Sequence, residues 1–589
     1  MKSAEAKITT DPSNFWRFVN QRRNASRIPG DMIHNDTNLH DPQDIVNGFA
    51  DHFSSVFRFP SDYPFSSNDM RDYDGIDLSY LSEDDIINAC RLLKPSLVSG
   101  YDLIPAFLVR DCSHVFAPVL KIIFNCSIKT NTFPDCWKSA NVCPIFKSGK
   151  RSFFSNYRPI SLLSNFSKIF ERAIYNQIHI AISSKLPIHQ HGFLKGRSTT
   201  TNLVSLTQFI AENIDAKSQV DVIYTDFARA FDNVNFNILL EKLRSFGFAA
   251  RSLTFFYSYL RDRSCSVVYN GFQSKIYRCT SGVPQGSVLG PILFLIFIND
   301  LANLLGCHKL LFADDLKLFA SINQPTDCLE LQGQVNTLQD WCRSSGLDLN
   351  ISKCSVMTYT RKRNPIMYNY IISDSTIQRK DHIIDLGVTF DTKLRFNLHV
   401  ESKVTSAMKM LGFVIRTGKH ISSVECLKLL FCAFVRSILE YACSVWSPQY
   451  NCYIDALEYV QRRFLKFLYF KIHKVYPPQG YPQELLISEF GLTPLETRRK
   501  CFDIKFLNKV CHNELQLDNN YFNLKFYSPR ENSRHRAVFK LPRSNTNVLE
   551  NSPLVKLCTL GNKCIELFNV TEVSCSTLNR LLGKSILIL

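Results

Sequence analysis

A chain of 589 residues is too long for one ordinary hydrophobic core, so roughly two to four structural units are expected. Apolar residues make up 45% and aromatic residues 12%, which excludes a disordered chain. The 69 Lys and Arg outnumber the 52 Asp and Glu, for a formal charge of +17, and such a surplus favours an anionic partner such as nucleic acid.

Residues 1–10 are polar and charged, which excludes a signal peptide at this position. Residues 1–75 read as a linker-like leading region, with short helices over 15–18 and 45–57. At Ser82 the pattern sharpens. Ser82 and Asp85 resemble a capping box, and Ile86, Ala89, Cys90 and Leu93 follow at helical spacing. Apolar helices then alternate with short β-rich runs, a mixed α/β pattern. The longest apolar run, 288–298, is far short of the roughly 20 residues a membrane span needs, so it reads as a buried helix and no membrane partner is expected. Beyond residue 398 strand signals fade. Residues 404–413, 425–443 and 454–469 read as amphipathic helices carrying Arg462, Arg463 and Lys466, and 476–589 adds further helices and a basic loop at 530–540. The 20 cysteines never fall at Cys-x-x-Cys spacing, which argues against a zinc finger and fits reduced thiols inside a cell.

The sharpest local feature is Asp314-Asp315 inside an otherwise apolar run from Leu310 to Phe319. The flanking residues read as two short strands with the acids at the turn between them. Paired carboxylates among apolar neighbours repel and resist desolvation, and a bound cation relieves both costs. Asp84-Asp85 is an internal control, since that pair lies at a helix start, where the dipole and water satisfy it. Asp226 ends the β-rich run from Val220, 88 residues before Asp314. Acids from two strand ends can clamp two divalent ions for in-line phosphoryl transfer, and carboxylates with open water positions suit Mg²⁺. Alone, Asp226 reads more readily as a turn cap than as a catalytic acid. Gly282, Gly286 and Gly290 lie in a turn-rich stretch before the apolar helix, where backbone can approach a ligand and the helix start can favour phosphate or a base.

In order, the chain carries Asp226-Phe-Ala-Arg-Ala-Phe-Asp232, Gly282-Val-Pro-Gln-Gly-Ser287, Phe312-Ala-Asp-Asp315 and Gly346-Leu-Asp-Leu-Asn-Ile-Ser-Lys353. Asn156-Tyr-Arg-Pro-Ile-Ser-Leu-Leu163 and Gln190-His-Gly-Phe-Leu-Lys-Gly-Arg-Ser-Thr199 precede them, and Leu386-Gly-Val-Thr-Phe-Asp391 and Tyr441-Ala-Cys-Ser-Val-Trp446 follow. This series resembles the motifs of reverse transcriptases, specifically the non-LTR (LINE-type) retrotransposon polymerases of the jockey-like kind, over about residues 80–475. The resemblance implies an α+β right-hand polymerase with fingers and palm over 76–398, an antiparallel palm sheet, a helical thumb over 399–475, and a basic helical region over 476–589. It implies an RNA-directed DNA polymerase that uses an RNA template, a DNA primer, dNTPs and two Mg²⁺ ions, with Mn²⁺ as an alternative, in the nucleus or the cytoplasm.

By the same resemblance, Asp226, Asp314 and Asp315 would hold the metals, helped by the Phe227 carbonyl. Phe231 would sit beneath the sugar and exclude a 2′-hydroxyl, although its plain alternative is a core ring. Gln285 and Gly286 would line the nucleotide and template pocket, and Arg158 and Lys147 would reach the triphosphate. Lys353 would stand near the pyrophosphate as a general acid, and Gly387 would belong to the primer-grip hairpin. Leu194 stands where the group often has Arg, a departure from the family's pattern at that contact. The expected endonuclease domain has no counterpart ahead of the polymerase motifs, so a truncated element is expected. The competing readings are a catalytically inactive nucleic-acid-binding relic and an RNA-copying RNA polymerase, and Phe231 speaks against the latter. Gly583-Lys-Ser585 lacks the first glycine of a P-loop and implies no ATPase.

Overall fold

The computed structural model describes residues 2–23, 28–34, 37–58, 75–527, 537–565 and 567–585. In chain order the strands that position the site are β1 (Ser139–Phe146), β2 (Tyr157–Leu162), β3 (Gln219–Thr225), β4 (Arg263–Tyr269), β5 (Phe272–Gln273), β6 (Tyr277–Cys279), β7 (His308–Phe312), β8 (Asp315–Ile322), β9 (Ser355–Tyr359), β10 (Gln378–Arg379), β11 (His382–Asp385) and β12 (Val388–Asp391).

The palm sheet runs β10-β9-β3-β8-β7, with β3 at its centre. All its pairings are antiparallel except the short β9–β10 contact. Every residue of β3 is buried, its polar members included, and the buried Asp221 carboxylate accepts from Thr358 and Tyr370 at 2.8 and 2.9 Å. The period of two sorts its side chains into two cores. Ile223, Leu316, Leu318 and Val356 enter one, while Val220, Val222, Phe319 and Met357 enter the other. The first core holds the apolar helix Gly290–Leu304, from which Ile292 to Ile298 are all buried. The fingers sheet runs β2-β1-β4-β5, with β6 also on β4. Helices and an antiparallel palm sheet thus form the expected α+β architecture. No helix among the described residues is long and apolar enough to cross a membrane.

The leading region is more than the linker expected from its polar composition. Asp41 caps the helix Pro42–Ser54 by accepting from the Gln43 and Asp44 amides at 2.9 and 3.2 Å. Its apolar stripe, Ile45, Phe49 and Phe53, is buried with Val142, Tyr157 and Val267 of the fingers. Farther forward, Phe15 is fully buried against Phe413 and Phe434.

After the palm come the helices Asn397–Thr417, Val424–Leu430 and Asn451–His473. The single helix expected over 425–443 is instead interrupted by a π segment at Phe431–Arg436 and ends at Glu440. Ala442 then takes a left-handed φ of 51°, and Trp446 donates to the Tyr441 carbonyl at 2.8 Å, turning the chain. The C-terminal region folds back on the palm. Asp215 accepts from the Asn545 amide at 2.9 Å and the Thr546 amide at 2.7 Å. Leu507, Leu557 and Leu578 complete the second core. Of the basic loop expected at 530–540, residues 530–536 lie outside the described residues.

Candidate active site

β3 ends at Thr225, which places Asp226 at the mouth of the palm. The segment that follows β3 runs beside residues 348–350. The Asp226 carbonyl accepts from the Asn350 amide at 2.7 Å, and the Ala228 amide donates to the Asp348 carbonyl at 2.8 Å. This pairing delivers Lys353, whose Nζ lies 2.6 Å from Asp226 Oδ2. Antiparallel pairing of β7 with β8 places Ala313 and Asp314 in the tight turn between them. Ala313 adopts φ of 57°, a left-handed conformation that costs a non-glycine residue about 1–2 kcal/mol.

The two strand ends and the fingers enclose a cleft of about 910 Å³. Nine of the ten expected site residues line it: Lys147, Arg158, Asp226, Phe227, Phe231, Gln285, Gly286, Asp314 and Lys353. Asp315, at the head of β8, is not among the lining residues. Among the described residues no three His, Cys, Asp or Glu side chains gather into a metal cage.

Electrostatics bind these residues into one unit. Burial raises the Asp314 carboxyl above the usual range and Asp226 adds to the rise, while Arg158 and Lys147 oppose it. The Asp315 carboxyl is pushed up to about 6 by burial and then by Asp314, with Lys317 opposing. Lys147 is lowered by burial, Arg158 and Lys353, against the pull of Asp226 and Asp314. Carboxylates in this position favour a counter-charge, and the Lys353 ammonium already supplies one to Asp226. The donor set, oxygen-only and anionic, fits a hard divalent cation.

The glycine loop closes the opposite wall. The Ser161 amide of β2 donates to the Gln285 carbonyl at 2.9 Å. Gly286 has φ of 109°, and a Cβ there would lie 2.6 Å from the Ser161 oxygen, so only glycine fits this approach. Gln285 Nε2 donates to Asp232 Oδ1 at 2.7 Å. Phe231 is half-buried and stacks on Phe294, with ring centroids 4.4 Å apart and planes 19° apart. Its carbonyl accepts from the Val283 amide at 2.8 Å, tying it to the loop.

One expectation is corrected. The amides entering the helix Gly290–Leu304 do not await phosphate, because the buried Glu171 carboxylate accepts from Val288 and Leu289 at 2.7 and 3.1 Å. A carboxylate already satisfies the donors a phosphate would seek.

Residues 145–415 match the family model described as reverse transcriptase (RNA-dependent DNA polymerase). The chain is 30% identical over 367 residues to a probable RNA-directed DNA polymerase from transposon BS of Drosophila melanogaster, covering 59% of this chain and 40% of that protein. It is 24% identical over 481 residues to the RNA-directed DNA polymerase from mobile element jockey of the same species, covering 77% of this chain and 52% of that one. A probable RNA-directed DNA polymerase from transposon X-element, also of Drosophila melanogaster, is 26% identical over 382 residues, covering 63% and 42%. Residues 145–415 thus match a reverse transcriptase domain, and the chain is similar to RNA-directed DNA polymerases of jockey-like, non-LTR elements. It spans about half the length, or less, of these curated relatives.

The antiparallel sheet around β3, the second sheet around β1 and the helices packed on them are consistent with a right-hand polymerase fold. Two site residues carried no assignment in the sequence. Glu171 stands on the buried face of an amphipathic helix, beside Phe170 and Ile174, and an acid at such a position was the available signal. Asp232 closes the first acidic motif, and its carboxyl is raised to about 6 by burial, with Gln285 and Arg229 opposing.

Proposed function

We propose that this reverse transcriptase extends a DNA primer on an RNA template by adding deoxynucleotides at the cleft beneath Asp226 and Asp314. The observation that carries the reading is the pairing of these two acids at one wall, ringed by Lys353, Lys147 and Arg158.

Asp226 and Asp314, with Asp315 and the Phe227 carbonyl, are the residues that would hold Mg²⁺, or Mn²⁺ in its place. When bound, such ions supply charge neutralisation for the attacking and leaving oxygens of phosphoryl transfer. Arg158 and Lys147 hold the triphosphate from the fingers by charge-assisted hydrogen bonds. Lys353, released from Asp226, keeps a proton within reach of the leaving pyrophosphate. Phe231 forms the floor under the sugar, and its stacking on Phe294 keeps the ring rigid. Gln285, oriented by Asp232, and Gly286 shape the pocket for the paired base. Most of the acceleration comes from positioning and preorganised charge.

The test is primer extension by the purified chain on a primed RNA template with dNTPs and Mg²⁺, beside Asp314→Asn. Extension by the wild type alone supports the reading. A folded wild type that binds the duplex and extends nothing overturns it, and leaves a binding protein without catalysis.

A further inference from the structure

We infer that Gln190 is a positioning residue whose buried side-chain amide fixes the left-handed turn at Ala313 and so sets the aim of Asp314. The inference rests on the reading of the cleft as a polymerase site.

Gln190 precedes β3 by almost thirty residues in sequence, yet it packs against the acid turn. The backbone of 189–191 runs parallel beside β7. The Leu311 amide donates to the His189 carbonyl at 2.9 Å, and the His191 amide donates to the Leu311 carbonyl at 2.8 Å. This pairing brings the Gln190 side chain, 2% exposed, to the end of β7. There Oε1 accepts from the Ala313 amide at 2.9 Å and from the Gly192 amide at 2.8 Å. Nε2 reaches the Ala313 carbonyl at 3.5 Å. One amide therefore grips both polar groups of the residue whose φ is 57°. Its own backbone is held in turn, because Arg197 Nη1 donates to the Gln190 carbonyl at 2.7 Å and to the Pro187 carbonyl at 2.6 Å.

The approach is tight. A Cβ on Gly192 would lie 2.4 Å from the Ala313 nitrogen, so residue 192 must be glycine for Gln190 to come this near. Alanine gains nothing intrinsically from a left-handed backbone, so an outside grip has to hold it there. A neutral amide suits the position, because it accepts from the two N–H groups and donates to the carbonyl. A carboxylate would meet the Ala313 carbonyl as a second acceptor and add charge beside Asp314. Gln190 touches neither the cleft nor the reacting atoms, and its influence passes through the backbone at Ala313.

The experiment compares wild type, Gln190→Met and Gln190→Met/Ala313→Gly as full chains. Methionine keeps the side-chain volume and removes the hydrogen bonds. Primer extension is resolved into kcat, dNTP KM and duplex Kd, and hydrogen–deuterium exchange follows the peptide 310–318. Gln190→Met should lower kcat by about 30-fold, with KM and Kd within about threefold, because aim rather than binding is lost. The peptide 310–318 should exchange about tenfold faster while the rest of the palm is unchanged. Adding Ala313→Gly should restore about fivefold of kcat, since glycine takes positive φ unaided. A kcat within about threefold of wild type overturns the inference, as does a loss that glycine leaves untouched while the whole palm exchanges faster. A wild type that extends nothing defeats the polymerase reading instead. Exchange at 310–318 then decides Gln190 alone, and an unchanged rate in Gln190→Met overturns it.

Discussion

The Lys317 ammonium lies 2.5 Å from the Asp385 carboxylate, and both side chains are almost wholly buried. Lys317 also donates to Asn202 Oδ1 at 2.6 Å, so three elements meet at one cation: β8, the hairpin of β11 and β12, and the helix Thr199–Asp215. Burial raises the Asp385 carboxyl while Lys317 opposes the rise. Removing one partner leaves an uncompensated buried charge, so Asp385→Leu should cost about 3–5 kcal/mol of unfolding free energy. The double variant Lys317→Met/Asp385→Leu should recover most of that loss. Urea unfolding of the three proteins checks it, and a double variant as unstable as the single would refute the pairing.

Gly286→Ala should cost about 1–3 kcal/mol and also lose extension, because φ of 109° and the Ser161 oxygen both exclude a Cβ. Thermal melting and primer extension measure the two effects. Wild-type values in both would mean that the loop yields without consequence.

Phe231→Val should weaken discrimination against ribonucleotides by about tenfold or more, through space opened above the Phe294 ring. The ratio of kcat/KM for a dNTP over its rNTP reads this directly. An unchanged ratio would make Phe231 a packing residue only.

Asp232 carries a pH signature. Its folded carboxyl titrates at about 6, above its ordinary value near 4, so the folded chain holds this proton more tightly than the unfolded chain does. The stabilisation is fully present below the unfolded value, is lost as pH rises toward about 6, and stays lost above that. Asp232→Asn removes this loss, on the order of 2–3 kcal/mol, while keeping an acceptor for Gln285. Urea midpoints at about pH 4 and about pH 7.5 should therefore rise more with pH in the variant than in the wild type. Parallel curves would place the titration elsewhere.

The α+β class was legible because burial writes itself into residue type. The β-rich run from Val220 and the apolar run that becomes Gly290–Leu304 are both visible without coordinates. So were the acids, since Asp226 and Asp314 interrupt apolar runs at strand ends. What stayed hidden depends on partners distant in sequence. Glu171 serves amides more than one hundred residues later, which no local pattern announces. The N-terminal helix Pro42–Ser54 looked like part of a tether because its polar flanks outweigh a short apolar stripe. The break near Ala442 was equally silent, since residues 425–443 keep helical spacing through the point where the backbone turns.

The embrace of Asp215 by Asn545 and Thr546 has a consequence for how the molecule is made. The second core draws on Ile8 and Phe15 near one end and on Leu578 and Leu582 near the other. Contacts of such sequence separation form late and slowly, because loop closure precedes any gain from packing. A nascent chain can complete its fingers while the back of its palm stands open, its apolar face needing protection until synthesis has passed residue 582. On the ribosome the cleft-bearing half of this chain waits for the helix Cys575–Ser585.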